Sequence, residues 1–325
     1  MEEERDMDEN RLPEIFMEYM AGDKGCSPAT LASYESSLRS FRRYFTSLDE
    51  QLTWLTVDSD VVRRWMAWMM KNGINARTVN KSLSALRSFY KYLILTGHAA
   101  TDPMLKVQNP KVSAPLPAFF KQAEMDRLFD NVKFPDDFAG MCDRLMLLTF
   151  YTTGLRISEL IGMDREDVSE KSGELKVTGK RNKQRIVPFG KELQEAMLAY
   201  IPRRDEIVGK STGAFFIDSK GMRISPDKVR RCVKKYMSMV TTQKKRTPHV
   251  LRHTFATVML NNGADLEAVR ELLGHESLST TEIYTHTSFT ELRKVYENAH
   301  PRSNAKKESK EKEPDKSANP PYGKN

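Results

Sequence analysis

The chain has 325 residues, 30% of them charged, with 52 Lys and Arg against 44 Asp and Glu for a formal net charge of +8. Its three cysteines, Cys26, Cys142 and Cys232, are far apart and odd in number, which speaks against a disulfide framework and for a reducing, cytoplasmic setting. No stretch approaches the roughly 18 apolar residues of a spanning helix, and the acidic start MEEERDMDEN lacks the features of a secretory signal, so no membrane partner is expected. At roughly 150 residues per domain the length predicts two domains. The basic balance is compatible with a polyanion such as nucleic acid without requiring one.

Residues 1–10 read as a disordered acidic N-terminus. Leu12, Ile15, Phe16 and Tyr19 then recur at helical spacing over 11–22. In SPAT (27–30), Ser27 suits an N-cap and Pro28 the first helical position. Leu31, Tyr34, Leu38, Phe41 and Phe45 make the apolar stripe of the helix that follows. A third helix is predicted over 59–72, with Val61, Trp65 and Trp68 facing inward. The fourth and longest spans 76–96, with Val79, Leu83, Leu86, Tyr90 and Leu93 on one side. Its other side carries Arg77, Lys81, Ser84, Ser88 and Lys91. That is either a solvated face or a phosphate-contacting one, and the helix alone does not decide. Residues 11–100 thus form a small all-helical domain.

Residues 101–120, with Pro103, Pro110, Pro115 and Pro117, form a linker. A second domain, mostly helical, runs over 121–300. Its exception is GELKVTGKRNKQRIVPFG (173–190), where Leu175 and Val177, a polar turn, and Ile186 and Val187 predict a β-hairpin. Lys180 falls at the edge of that turn. Residues 301–325 are nearly devoid of large apolar residues and read as a disordered tail.

Several residues of the second domain are of types that handle anions. In YTTGLRISEL, Arg156 follows a helix-breaking Gly154 amid apolar residues, where an arginine is costly unless paired or aimed at a ligand. A structural ion pair with Glu159 is the plainer alternative. In PHVLRHTFAT, Thr247 and Pro248 can open a helix that Gly263 ends. His249 and Arg252, three apart, share a face near its N-terminus, a site suited to an anion. His249 and His253 have the spacing of a zinc pair, but no H-E-x-x-H glutamate and no cysteine accompanies them, so no metal is expected. Asp265 caps the next helix and Gly274 stops it, with His275 immediately after. Ser279 and Glu282 form a capping box, and Tyr284 lies in the first turns beyond. A lone tyrosine there is ordinarily core or surface.

The ordered set Arg156, Lys180, His249, Arg252, His275 and Tyr284 resembles the tyrosine recombinase (phage-integrase-like) family, and most closely its Xer-type site-specific recombinases. TGLRISEL, GKRNKQRIVPFG, HVLRHTFAT and LLGHESLSTTEIYTH carry the resemblance. SPATLASYESSLRSF and LSALRSFYKYL extend it to the N-terminal helices, so that it covers about 11–300. It implies a mainly α fold: a SAM-like helical core-binding domain, then a mostly helical catalytic domain with a small β-hairpin or sheet. It also implies DNA cleavage by Tyr284 through a 3′-phosphotyrosyl link, with Arg156, Arg252 and His275 on the phosphate, His249 near the tyrosine proton and Lys180 as general acid. No cofactor, metal or ATP is expected. The implied partner is double-stranded DNA, bound by a homo- or hetero-tetramer through a Holliday junction, with a second recombinase or accessory protein possible. Under this resemblance Arg77, Lys81 and Ser84 face DNA. The segment FTELRKVYENAH (289–300) would dock on a neighbouring protomer or pack in cis. One departure is Arg181, where the family often has glycine after the lysine; a turn needing positive φ would suit arginine poorly. Chromosome dimer resolution, movement of a mobile element and promoter inversion remain open as tasks. A type IB topoisomerase and a non-catalytic DNA-binding protein are the rival classes.

Overall fold

The computed structural model describes residues 2–112, 117–179, 182–209, 213–274 and 286–303. The chain divides into two units, Met1–Pro115 and Leu116–Asn325.

The first unit holds four helices: α1 (Glu2–Ala21), α2 (Pro28–Leu48), α3 (Ser59–Lys71) and α4 (Ala76–Leu95). Local chemistry starts three of them. The Ser27, Asp58 and Asn75 side chains accept hydrogen bonds from the first-turn amides of α2, α3 and α4, and Pro28 opens α2. The α4 stripe Val79, Leu83, Leu86, Tyr90 and Leu93 is fully buried. It packs with Phe16, Phe41, Phe45, Trp54 and Trp65 into one aromatic-rich core, in which Phe41 and Trp65 lie 4.9 Å apart and the Tyr90 hydroxyl donates to the Trp54 carbonyl.

Three expectations are corrected here. Helix α1 begins at Glu2, not near residue 11, so residues 2–10 are helical and not the disordered segment expected; the apolar spacing over 11–22 marks only the second half of the helix. Trp68 does not face inward: it is 47% exposed, and Met69, four residues past Trp65, takes the buried place. The linker is also shorter than 101–120. Met104 and Val107 join the first core, and Arg87 donates to the Val107 carbonyl and to Asn109. At its other end, the Phe120 amide donates to the buried Thr254 hydroxyl of the second unit.

The second unit begins with α5 (Gln122–Asp126), which runs into a π-helical turn at Arg127–Asn131. Next come α6 (Phe138–Thr153), α7 (Ile157–Gly162), a short 3₁₀ turn, β1 (Val168–Ser169), β2 (Glu174–Thr178) and β3 (Gln184–Pro188). Then follow α8 (Lys191–Val208), α9 (Pro226–Val240), α10 (Pro248–Asn261), α11 (Leu266–Leu273) and α12 (His286–Ala299). The three strands form an antiparallel sheet in sequence order, with Leu175 opposite Val187 and Val177 opposite Arg185. The hairpin is therefore present, but the inward row of β3 contains an arginine. Among the described residues of its turn, the left-handed position is Asn182 (φ 59°), and asparagine tolerates that region; Arg181 lies outside the described residues.

The central α6 is buried over nearly its whole length and packs on α8 and α10. Helix α12 packs within its own chain: Leu292, Tyr296 and Ala299 bury against Phe255, Met259, Val269 and Leu272. Residues 301–303, expected to belong to a disordered tail, pack on the second unit. Arg302 pairs with Glu192 and Asp130, the Ser303 carbonyl accepts from the first amide of α8, and the tail beyond 303 lies outside the described residues. No described helix is long and apolar enough to cross a membrane.

Candidate active site

Three of the six motif residues lie among the described ones, and two of them meet. Helix α6 ends at Gly154 in the left-handed conformation (φ 63°). A Cβ there would stand 2.5 Å from the Phe255 ring and 2.8 Å from Leu273, so only glycine permits both the turn and the close approach of α10 and α11. The turn delivers Arg156 to the cap position of α7. Its backbone amide donates to Glu159 Oε2 (2.8 Å), Nη1 donates to Glu159 Oε1 (2.7 Å) and Nη2 to the Gly274 carbonyl (3.1 Å). Arg252, on α10, is buried. It donates from Nη1 to the Gly154 carbonyl (2.7 Å) and from Nη2 to the Leu273 carbonyl (2.6 Å).

The acceptors explain how an arginine tolerates burial. The last carbonyls of a helix have no partners within the helix and carry its negative dipole end. Gly154 closes α6, and Leu273 and Gly274 close α11, so two helix ends aim at two guanidiniums. Helix α11 ends as the sequence reading expected, with Asp265 accepting from the amides of Glu267 and Ala268 and Gly274 left-handed at φ 63°. Arg252 is 6% exposed at its side chain, whereas Arg156 is 40% exposed and can reach a ligand.

Sequence reasoning named Glu159 only as a partner of Arg156 and did not name Arg185. Both side chains are buried, and Arg185 grips Glu159 with two hydrogen bonds of 3.0 Å each. Arg252 Nη1 lies 3.8 Å from Glu159 Oε2. Three guanidiniums thus surround one carboxylate, leaving the cluster positive and fit for a phosphate. Burial opposes ionisation of Glu159, but the hydrogen bonds and charge of Arg185, with those of Arg156, outweigh it and hold the carboxyl at about 2. Burial, and then the charge of Arg156, pull Arg252 down to about 10 while Glu159 resists; it stays cationic at neutral pH. The only advance signal for Arg185 was a cation on the apolar row of a strand.

His249 is exposed one turn before Arg252, on the first turn of α10. Thr247 occupies the N-cap position but makes no side-chain cap bond. Among the described residues no group of three His, Cys, Asp or Glu side chains is placed to hold a metal. Lys180, His275 and Tyr284 lie outside the described residues. Their described neighbours are Gly179, which closes the hairpin by donating to the Lys183 carbonyl, and Gly274.

A family model described as the phage integrase family matches residues 118–291, and one described as the phage integrase N-terminal SAM-like domain matches 14–97. The chain belongs to the phage integrase family. Its recombinase character is equally plain from whole-length relatives. It is 38% identical over 300 residues to tyrosine recombinase XerC of Pelotomaculum thermopropionicum, covering 89% of this chain and 97% of that one. It is 36% identical over 300 residues to XerC of Listeria monocytogenes serotype 4a, covering 91% and 99%. Among solved structures, the XerH recombinase bound to palindromic difH superposes with a TM-score of 0.65 at 19% identity, over 82% of this chain and 80% of that one. A lambda integrase tetramer bound to a Holliday junction gives 0.64 at 18% identity, over 85% and 80%. This tyrosine recombinase therefore has the expected mainly helical fold, SAM-like domain first and small sheet in the second unit. Its chemistry as an Xer-type enzyme is the cleavage and rejoining of DNA strands.

Proposed function

We propose that this chain is a site-specific recombinase that cuts and rejoins DNA through Tyr284. The tyrosine oxygen attacks phosphorus and the bond to the 5′-oxygen breaks, leaving a 3′-phosphotyrosyl link and a free 5′-hydroxyl. His249 receives or relays the tyrosine proton, and Lys180 donates a proton to the departing 5′-oxygen. Arg156 and Arg252 hold the non-bridging oxygens with forked donors as negative charge gathers there, and His275 adds a hydrogen bond. One phosphodiester is exchanged for another, so rejoining uses no ATP. Positive charge comes from arginine and lysine, so the cycle runs without a metal ion. Four protomers act on two duplexes through a Holliday junction, with Arg77, Lys81 and Ser84 contacting phosphates. The task is chromosome dimer resolution or movement of a mobile element, with a second recombinase or accessory protein as a possible partner.

The observation that carries this reading is the convergence of Arg156 and Arg252 on successive carbonyls, Gly274 and Leu273, directly ahead of HESLSTTEIYTH. The test is covalent trapping on nicked suicide duplexes drawn from the source genome, in EDTA. Wild type should form a denaturant-resistant DNA adduct and Tyr284→Phe none; mapping the adduct identifies the site. An adduct from Tyr284→Phe, or none from wild type bound to its DNA, would sink the assignment.

A further inference from the structure

Helix α11 ends in three successive carbonyls, and each receives a different arginine. Leu272 accepts from Arg185 Nε (2.9 Å), Leu273 from Arg252, and Gly274 from Arg156. The same three arginines surround Glu159. Arg156 and Arg252 are the proposed phosphate ligands, while Arg185, on the inward row of β3, bonds through each of its three nitrogens to protein acceptors and commits two of them to Glu159. Three of its five N–H donors are held in this way by the protein.

We infer that Arg185 is a positioning residue: by fixing Glu159 and the end of α11 against β3, it sets the spacing of the Arg156–Arg252 phosphate clamp. The inference rests on the reading of those two arginines as phosphate ligands. Glu159 takes its two Arg185 bonds one on each oxygen, which fixes the plane of the carboxylate. That plane fixes where Arg156 Nη1 and the Arg156 amide attach. Arg185 Nε meanwhile holds the strand of carbonyls on which both clamp arginines rest. The packing is tight at Gly274 and in ordinary contact at Gly179. A Cβ on Gly274 would lie 3.1 to 3.2 Å from the Arg185 guanidinium, and one on Gly179 would lie 3.7 Å from Glu159 Oε1 and 3.9 Å from Arg185 Nη1. The buried pair thus sits against the residues that immediately precede His275 and Lys180 in the chain. A buried pair is an inefficient stability device, because apolar residues in place of both Arg185 and Glu159 would pack without desolvating either charge.

Lysine separates positioning from stability. Its single ammonium can still neutralise Glu159, but it cannot hold both carboxylate oxygens in plane and the Leu272 carbonyl as well. Arg185→Lys should keep wild-type DNA affinity and melt close to wild type, yet form the suicide-substrate adduct about 10²-fold more slowly at saturating DNA, the usual size of an ångström-scale misplacement. Arg185→Met, expected to melt lower, should be no faster. In protein labelled with ¹⁵N on arginine, the Nε–H signals of Arg156 and Arg252 should shift in Arg185→Lys without any DNA present. Cleavage by Arg185→Lys within twofold of wild type, or unmoved Arg156 and Arg252 signals, would overturn the inference. The NMR result stands whether or not wild type forms an adduct, so a wild type that binds DNA without cleaving it counts against Tyr284 and leaves the positioning role to be judged on the arginine signals.

Discussion

Among the described residues, the first unit buries one polar side chain, Ser37, whereas the second buries Glu159, Arg185, Arg204 and Arg252. The first unit is held by contact among Phe, Trp, Leu and Val, an attraction without direction that many packings satisfy. The second places charge where water is excluded, and each buried guanidinium needs acceptors at defined angles. Arg204 finds the Ala214 carbonyl, while for Arg185 and Arg252 the carbonyl acceptors come from helix ends, Gly154 for α6 and Leu272 and Leu273 for α11, so the secondary structure itself supplies part of the counter-charge. The lesson is that the clamp is only as well ordered as the terminations of the helices behind it. A loose α11 end would cost this enzyme its arginines long before it cost the fold its core.

The sharpest way to break that contrast is to remove the shared anion. Glu159→Gln leaves Arg185 buried without a charge partner, a change that typically costs about 3–5 kcal/mol. At about 2–4 °C per kcal/mol for a unit of this size, thermal unfolding should start about 6–20 °C lower. The pH dependence has a definite sign. The Glu159 carboxyl is held at about 2, below its ordinary 4.5, so its contribution is fully present above 4.5 and is lost as pH falls towards 2. The stability gap between wild type and Glu159→Gln should be wide at pH 6 and close between about pH 4.5 and pH 2 in denaturant titrations. A gap that is constant with pH would show that the carboxylate is not what pays for the buried arginine.

In the first unit the matching test is neutral in charge. Met69→Ala deletes a buried side chain and should cost about 2–5 kcal/mol, while Trp68→Ala, at a 47% exposed position whose ring meets Tyr44, should cost about 1 kcal/mol. Neither should alter the cleavage rate per folded, DNA-bound molecule. The reverse order of costs would mean that Trp68, not Met69, faces the core.

How legible each unit is in the sequence follows from the same contrast. Apolar periodicity read four helices in the first unit, and the caps Ser27, Asp58 and Asn75 agree with their starts. It erred at Trp68 because 65 and 68 and 65 and 69 are both helical neighbours, and size alone does not say which is covered. It missed the helix ahead of residue 11 because acidic residues there give no apolar signal. In the second unit the breaks at Gly154 and Gly274 were readable, since glycine at a helix end has one common meaning. The partners of the arginines were not. Local spacing suggested Arg156 with Glu159, three residues apart, but Arg185 meets Glu159 across 26 residues and Leu272 across 87, and no periodicity encodes such distances. Composition likewise could not show that Arg302 is bound by Glu192 and Asp130 rather than lost in the tail.

The smallest effect tests the charged face of α4. Arg77, Lys81 and Ser84 are exposed on α4, and Lys81 lies one turn beyond Arg77, so both point from the same side of the helix. A solvated lysine and a phosphate-contacting lysine look alike in the free protein, since neither has a partner to reveal it. They differ in what salt does to binding. A phosphate contact releases condensed counterions, so log K falls against log salt with a slope near −0.9 per contact on duplex DNA. Lys81→Ala should therefore make the slope shallower by about one and weaken binding most at low salt, with thermal stability unchanged because the side chain covers no core. The loss should be about equal on specific and unrelated duplexes, as befits a contact to backbone and not to bases. An unchanged slope returns Lys81 to solvent and removes the salt-sensitive support for a phosphate-contacting α4 face.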